Sequence, residues 1–212
     1  MLKNWIAWIA GEVIVMFARL LTAVRGVWLG AGPTRRQRIY FANHTSNGDF
    51  VLVWAVLPPA LRYRTRPVAA ADYWLTSPLR AFAGRDVFRA VLIDRNPDTR
   101  DDDPVSQMVS ALDEGSSLII FPEGKRNMGD VPALPFKTGL FHVASRRPEV
   151  DLVPAWIENM NHVIPKGEIM PVPLLCSVRF GEAIHLKEGE DKTAFLDRAR
   201  AALVALSEEG AS

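Results

Sequence analysis

Four short runs of this chain carry unbroken apolar cores: RIYFAN at 38–43, FRAVLI at 88–93, SSLIIF at 116–121 and LVPAWI at 152–157. A strand with one wet face alternates apolar and polar residues, whereas these runs do not, so each is expected to be covered on both faces. Between them lie stretches of helical character. FVLVWAVLP is ended by Pro58 and Pro59, VSQMVSALDEG closes at Gly115, one helix is expected over 137–146, and an amphipathic one over 191–207. A further strand is expected near 174–180. Strands alternating with helices predict an α/β fold, a single domain with a mixed, mostly parallel sheet covered by helices on both faces. A chain of 212 residues suits one such core.

The N-terminus reads differently. WIAWIAGEVIVMFARLLTAV, residues 5–24, is nearly long enough to span a bilayer, but Glu12 and Arg19 interrupt it. About ten strongly apolar side chains contribute roughly −4.5 kcal/mol of insertion, and two charges at roughly +2.5 to +3.5 kcal/mol each cancel it. The expectation is a helix lying in the membrane interface, with Trp5, Trp8 and Trp28 at headgroup level and the charges turned to water. With no basic leader and no small-residue cleavage site, it reads as a retained anchor. The expected division is residues 1–32 as a membrane-associating helical segment and 33–212 as the catalytic domain, held at the cytoplasmic face of a bacterial inner membrane.

A formal charge of +1 provides no global field for nucleic acid. Local charge is concentrated: 19 of the 25 basic residues are arginine, bunched at RRQR (35–38) and RYRTR (62–66), where forked donors suit phosphate. The single Cys176, inside PLLCSVRF, reads as a small buried thiol. Asn43-His44-Thr45 matches a glycosylation acceptor without any other sign of secretion. His44, His142, His162 and His185 are scattered and form no metal-ligand pattern, and His142 is expected in the core. No G-x-S-x-G elbow, P-loop or G-x-G-x-x-G occurs.

Two stretches carry candidate chemistry. In FANHTSNGDF, His44 lies where a strand gives way to a helix, the place where open α/β sheets meet their ligands. Asp49 has two readings. With Ser46 it has capping-box spacing; alternatively, if His44 sits in the turn, the carboxylate reaches back to its Nδ1 proton and fixes the tautomer. In IIFPEGKRN, Gly124 allows close backbone approach and Arg126 offers a phosphate clamp, or the stretch is a mixed-charge surface turn.

Taken together, these blocks resemble the ordered motifs of the lysophospholipid and glycerophosphate acyltransferase family. Asn43, His44 and Asp49 match its first block, Asp94 and Arg95 its second, and Phe121, Pro122, Glu123, Gly124 and Arg126 its third. Lys125 stands where the family usually has threonine. PFKTGLFHVA, with Lys137 and Gly139, is similar to the helix after the third block, and LVPAWI to the fourth. The resemblance implies transfer of a fatty acyl group from acyl-CoA or acyl carrier protein, a substrate rather than a cofactor, to a lysophospholipid hydroxyl. The acceptor it points to first is 1-acyl-sn-glycerol-3-phosphate. Glycerol 3-phosphate, another lysophospholipid or a lyso-aminolipid would use much of the same machinery, and a catalytically silent lipid-binding adaptor would keep the fold. It implies His44 as base and Asp49 as its orienting acid. Arg95, Glu123, Gly124 and Arg126 would hold the acceptor phosphate, with Asn43 and Lys137 completing the substrate-binding set.

Overall fold

The apolar runs form the middle of a seven-stranded sheet. The computed structural model describes residues 2–94, 96, 103–158 and 175–208. Its strands are β1 (Arg25–Trp28), β2 (Arg38–Ala42), β3 (Thr65–Ala70), β4 (Val91–Ile93), β5 (Ser117–Ile120), β6 (Asp151–Glu158) and β7 (Ser177–Phe180). They lie in the order β1-β7-β6-β2-β5-β3-β4. β2 to β6 are mutually parallel. β7 runs antiparallel to β6, and β1 pairs parallel with β7. The sheet is thus mixed and mostly parallel.

Helices cover both faces: α1 (Leu2–Thr22), α2 (Asp49–Val56), α3 (Pro59–Arg62), α4 (Ala71–Trp74), α5 (Pro78–Phe82, running into a π turn over Ala83–Val87), α6 (Pro104–Asp113), α7 (Gly139–Arg146) and α8 (Lys192–Glu208). The two-residue strand period divides the core. Tyr40, Ile119 and Val153 point to the layer containing α1 and α2, where Trp54 and Phe50 pack. Ile39, Phe41, Leu118, Ile120 and Leu152 point to the layer of α6, α7 and α8. Burying both faces is what removed the alternation from these strands. α6 closes before Gly115 as expected, with that glycine in the left-handed region at φ +80, and its start is set by Pro104 in the first turn and the Asp103 carboxylate accepting from Ser106 N at 3.1 Å.

The fold differs from the expectation in three places. Residues 60–87, to which the sequence assigns no element, hold nearly all of α3, α4, α5 and an interior strand. β3 pairs with β5 over 65–67 and with β4 over 68–70, so Pro67, which has no N–H, sits where the strand changes partner. FRAVLI yields only the three residues of β4. Second, residues 25–28, grouped with the N-terminal segment, are the sheet-edge strand β1, and Trp28 stacks on Phe180 at 4.0 Å rather than standing apart as an anchor.

Third, the charges of α1, though still reached by water, are bonded to the domain. Glu12 accepts from Arg62 Nη1 at 3.1 Å and Arg19 Nη2 donates to Ala55 O at 2.8 Å, both toward the domain. Ala7, Gly11 and Val15 are buried on the same side, while Trp5, Ile9, Met16, Phe17 and Leu20 are exposed. Carbonyls and counter-ions of the domain thus partner the two charges, although Arg19 stays exposed and Glu12 partly so, and the rest of the outward face after Asn4 is apolar. By length and composition α1 is long and apolar enough to cross a membrane.

Candidate active site

The loop after β2 is built around one buried carboxylate. Asn43 Nδ2 donates to Ile157 O at 2.9 Å and its Oδ1 accepts from Ile157 N at 2.7 Å, so this buried side chain extends the pairing of β2 with β6 by one step. That fixes where the chain leaves the sheet. α2 begins at Asp49 itself, not at Ser46, with Gly48 as an N-cap that supplies no side-chain bond. Asp49 is 0 % exposed, and its Oδ2 accepts from Thr45 N at 2.6 Å, Ser46 N at 2.8 Å and His44 Nδ1 at 2.9 Å. The capping box, which needs a helix starting at Ser46, is therefore not formed, and the turn reading holds. The carboxylate ties off the turn before the helix, and the same oxygen accepts a hydrogen bond from the His44 ring. The imidazole stacks on Phe121 at 4.4 Å; with Nδ1 on the carboxylate, Nε2 is the nitrogen chemically able to accept a proton.

The loop after β5 grips the same histidine from the other side. Glu123, also buried, accepts from His44 N at 2.8 Å and from Leu134 N at 2.9 Å. Burial pushes its carboxyl above the usual range, against the opposing effect of those two backbone donors. Asn127 N donates to His44 O at 2.6 Å, and the Asn127 side chain shapes its own loop by donating to Val131 O at 2.6 Å and accepting from Gly129 N at 3.1 Å. Residues 123 and 127 thus hold the amide N–H and the carbonyl of residue 44. What lies between them, Gly124, Lys125 and Arg126, is exposed beside the imidazole.

Gly124 sits at φ +68, and a Cβ there would lie 2.7 Å from Lys137 Cδ and Cε, so glycine is needed both for the turn and for the lysine stem crossing it. Lys137 is exposed too. Lys125 and Arg126 follow Gly124 in the loop that grips His44 and the Lys137 stem crosses it, so three exposed cations belong to this end of the sheet, a composition suited to a phosphomonoester. Of the residues expected at the site, His44, Asp49, Asn43, Glu123, Gly124, Arg126 and Lys137 converge at this end of the sheet, and Arg95 lies outside the described residues. Both oxygens of Glu123 and the whole amide of Asn43 are occupied by backbone groups, so these two build the site from beneath. Asn127 and Leu134 are not among the sequence candidates; the N-x-G spacing at Asn127, which marks a side-chain-capped turn, is the available signal.

The basic runs divide. Arg38 and Arg62 are buried and bonded to backbone carbonyls, and Arg66 pairs with Glu114 at 2.8 Å. Arg35, Arg36 and Arg64 remain exposed at the strand starts, the edge of the sheet opposite His44. Cys176 is buried as expected, and burial lifts its thiol to about 11. His142 is exposed on α7 rather than in the core, His185 pairs with Asp151 at 3.2 Å, and His162 lies outside the described residues. Among the described residues no group of three His, Cys, Asp or Glu is placed to hold a metal.

The model of the Acyltransferase family matches residues 31–158, more than half of the chain and every residue of the site. The chain belongs to the Acyltransferase family.

Proteins named 1-acyl-sn-glycerol-3-phosphate acyltransferase resemble this family member over its central part. The one from Escherichia coli is 34 % identical over 113 residues, covering 50 % of this chain and 41 % of the relative. That from Salmonella typhimurium is 31 % identical over 133 residues, 59 % of this chain and 49 % of the relative. The chain thus matches somewhat under half the length of these relatives. Its fold is similar to the crystal structure of the 1-acyl-sn-glycerophosphate (LPA) acyltransferase PlsC from Thermotoga maritima, with a TM-score of 0.73, 20 % identity, and coverage of 99 % of this chain and 82 % of that one. The structural likeness extends beyond the matched block to α1 and α8.

Proposed function

We propose that this protein transfers a fatty acyl group from an acyl thioester, acyl-CoA or acyl carrier protein, to the free hydroxyl of 1-acyl-sn-glycerol 3-phosphate, giving phosphatidic acid. The observation that carries the reading is the 2.9 Å contact of His44 Nδ1 with the buried Asp49, beside an exposed cationic bight. With its Nδ1 proton held by the carboxylate, the ring presents Nε2 as a base. Nε2 takes the hydroxyl proton while the oxygen attacks the thioester carbonyl. The C–S bond then breaks, and the departing thiolate takes the proton back from the imidazolium. Asp49 stabilises the ring while it is charged. Thiolate leaves readily, so general base catalysis, worth roughly 10² to 10⁴, and positioning of both substrates suffice without a covalent enzyme intermediate.

Arg126 and Lys137, with Arg95, hold the acceptor's phosphate in this reading, and Gly124 lets it approach. The apolar outward face of α1 lies in the membrane interface, on the cytoplasmic side of a bacterial membrane, where a single-chain lipid acceptor resides. The relatives' names support the choice of acceptor. Purified protein supplied with labelled acyl-CoA or acyl carrier protein and lysophosphatidate is expected to form labelled phosphatidic acid. His44→Ala is expected to lose at least ~10²-fold of that rate with vesicle binding intact. Equal rates for the two proteins would remove His44 from the mechanism, and no transfer by wild type with vesicle binding intact would favour a lipid-binding adaptor.

A further inference from the structure

The proposed chemistry uses the start of α2, yet the most heavily ligated part of that helix is its end. The last carbonyls of a helix have no partner within it and carry its negative pole. Here two guanidiniums meet them. Arg62 Nη2 donates to Ala55 O at 3.3 Å and to Leu57 O at 3.2 Å, and Arg19 Nη2 donates to the same Ala55 O at 2.8 Å. Arg62 is 1 % exposed and belongs to the domain; Arg19 comes from the apolar helix α1.

A second tie runs between the same partners. Arg62 Nη1 donates to Glu12 Oε1 at 3.1 Å, and the Tyr63 hydroxyl donates to the same oxygen. Burial, then the bond to Glu12, lifts that hydroxyl to about 12, so it keeps its proton at any physiological pH. Between the two ties Gly11 lies against Trp54 of α2, where a Cβ would come within 3.3 Å of the indole. Trp54 in turn donates its Nε1–H to Arg62 O at 3.0 Å. Glu12 and Arg19, seven residues apart, therefore clasp the end of α2 from one face of α1. Nothing in this clasp touches a substrate.

α2 has eight residues, a rod of about 12 Å. At its start, Asp49 holds the turn and the His44 ring. A short rod gripped at both ends has a fixed direction, and a shift of its far end is transmitted to the near one.

We propose that Arg19 is a positioning residue for the reaction: by holding the C-terminal carbonyls of α2 together with Arg62, it makes docking of the apolar helix set the aim of the His44–Asp49 pair. The inference rests on the acyl-transfer reading above and adds that α1 is part of the device that aligns the base, besides lying on the lipid. It also accounts for two charges inside an otherwise apolar helix. Their partners are in the domain, and a plain anchor has no use for them.

The test uses the full chain bound to vesicles of phosphatidylethanolamine and phosphatidylglycerol, with acyl-CoA and lysophosphatidate as substrates. Arg19→Ala is expected to lower kcat about tenfold, with KM for both substrates within twofold and the vesicle-bound fraction unchanged. Arg19→Lys, which keeps one donor, is expected to recover most of the rate. Lys3→Ala is the control. It breaks the other charged tie of α1, the 2.9 Å pair with Asp86 on the π turn, and is expected to leave kcat unchanged. An Arg19→Ala protein with the wild-type kcat overturns the proposal, as does one whose lost activity is explained by lost vesicle binding or a smaller folded fraction. Should Arg19→Ala fail to fold, Glu12→Gln decides: about a threefold fall in kcat at constant KM supports the proposal, and an unchanged kcat contradicts it. If wild type transfers acyl groups and only the Arg19 effect is missing, this inference falls alone. If wild type transfers none to any lysophospholipid, the functional reading falls with it.

Discussion

The loops after β2 and β5 each bury one carboxylate under the same histidine, and they use it for different ends. Asp49 spends one oxygen on Thr45 N, Ser46 N and the ring of His44. Glu123 divides its two oxygens between His44 N and Leu134 N and touches no side-chain donor. One acid is bonded to the imidazole, while the other fixes the peptide that carries it. The comparison teaches that burial and motif membership do not assign a catalytic role; what the carboxylate's oxygens meet does. It also divides the β5 loop, whose buried Glu123 and Asn127 face His44 while Lys125 and Arg126 face outward.

The difference is open to test. Asp49→Asn keeps shape and volume but removes the charge that stabilises an imidazolium and permits the wrong tautomer. Its kcat is expected to fall ~10² to 10⁴-fold, measured with saturating lysophosphatidate and acyl-CoA. If Asp49 served only to tie off the turn, the rate of the folded variant would stay within a few-fold of wild type. Arg126→Ala is expected to raise the acceptor KM about tenfold and leave kcat within threefold, because it removes a contact made equally before and during reaction. Exposed Arg64, at the opposite edge of the sheet, supplies the comparison, and an equal effect from Arg64→Ala would remove Arg126 from the acceptor site.

Glu123→Gln is expected to act least on rate and most on pH-dependent stability. The folded state raises the Glu123 carboxyl above its usual 4.5. A group with a raised folded pKa contributes stability that is full below 4.5 and is lost as pH rises through the folded value. Wild type should therefore lose part of its stability upward from about pH 4.5, and Glu123→Gln should flatten that slope in urea midpoints taken across it. Identical slopes would mean that Glu123 is ionised without cost.

Much of this was legible in the sequence for a local reason. β2, β5 and β6 announced themselves because a strand buried on both faces must be apolar throughout, and α6 because its cap, proline and glycine all act within a few residues. The pairing of His44 with Asp49 was legible as a spacing with two meanings, and the start of α2 at Asp49 leaves the one in which the carboxylate reaches back to the ring. β3 was hidden because TRPVAA owes its place to partners more than twenty residues away on β4 and some fifty away on β5, and a central proline is acceptable only where the partner changes. The domain partners of Glu12 and Arg19 are not legible in the sequence because Arg62 and Ala55 O lie thirty-six or more residues away in the chain. The buried bridge of Glu123 was missed for the same reason, since its partner His44 is seventy-nine residues distant.

A double-mutant cycle on kcat tests most directly whether His44 and Asp49 act as one base. If Asp49 works only through the ring, its substitution has nothing left to remove once the ring is gone. The account predicts that His44→Ala and the His44→Ala, Asp49→Asn double variant turn over at the same residual rate, although Asp49→Asn alone costs ~10² or more. A double variant slower than His44→Ala by the full Asp49→Asn factor would contradict it, and would assign the carboxylate a role independent of the histidine.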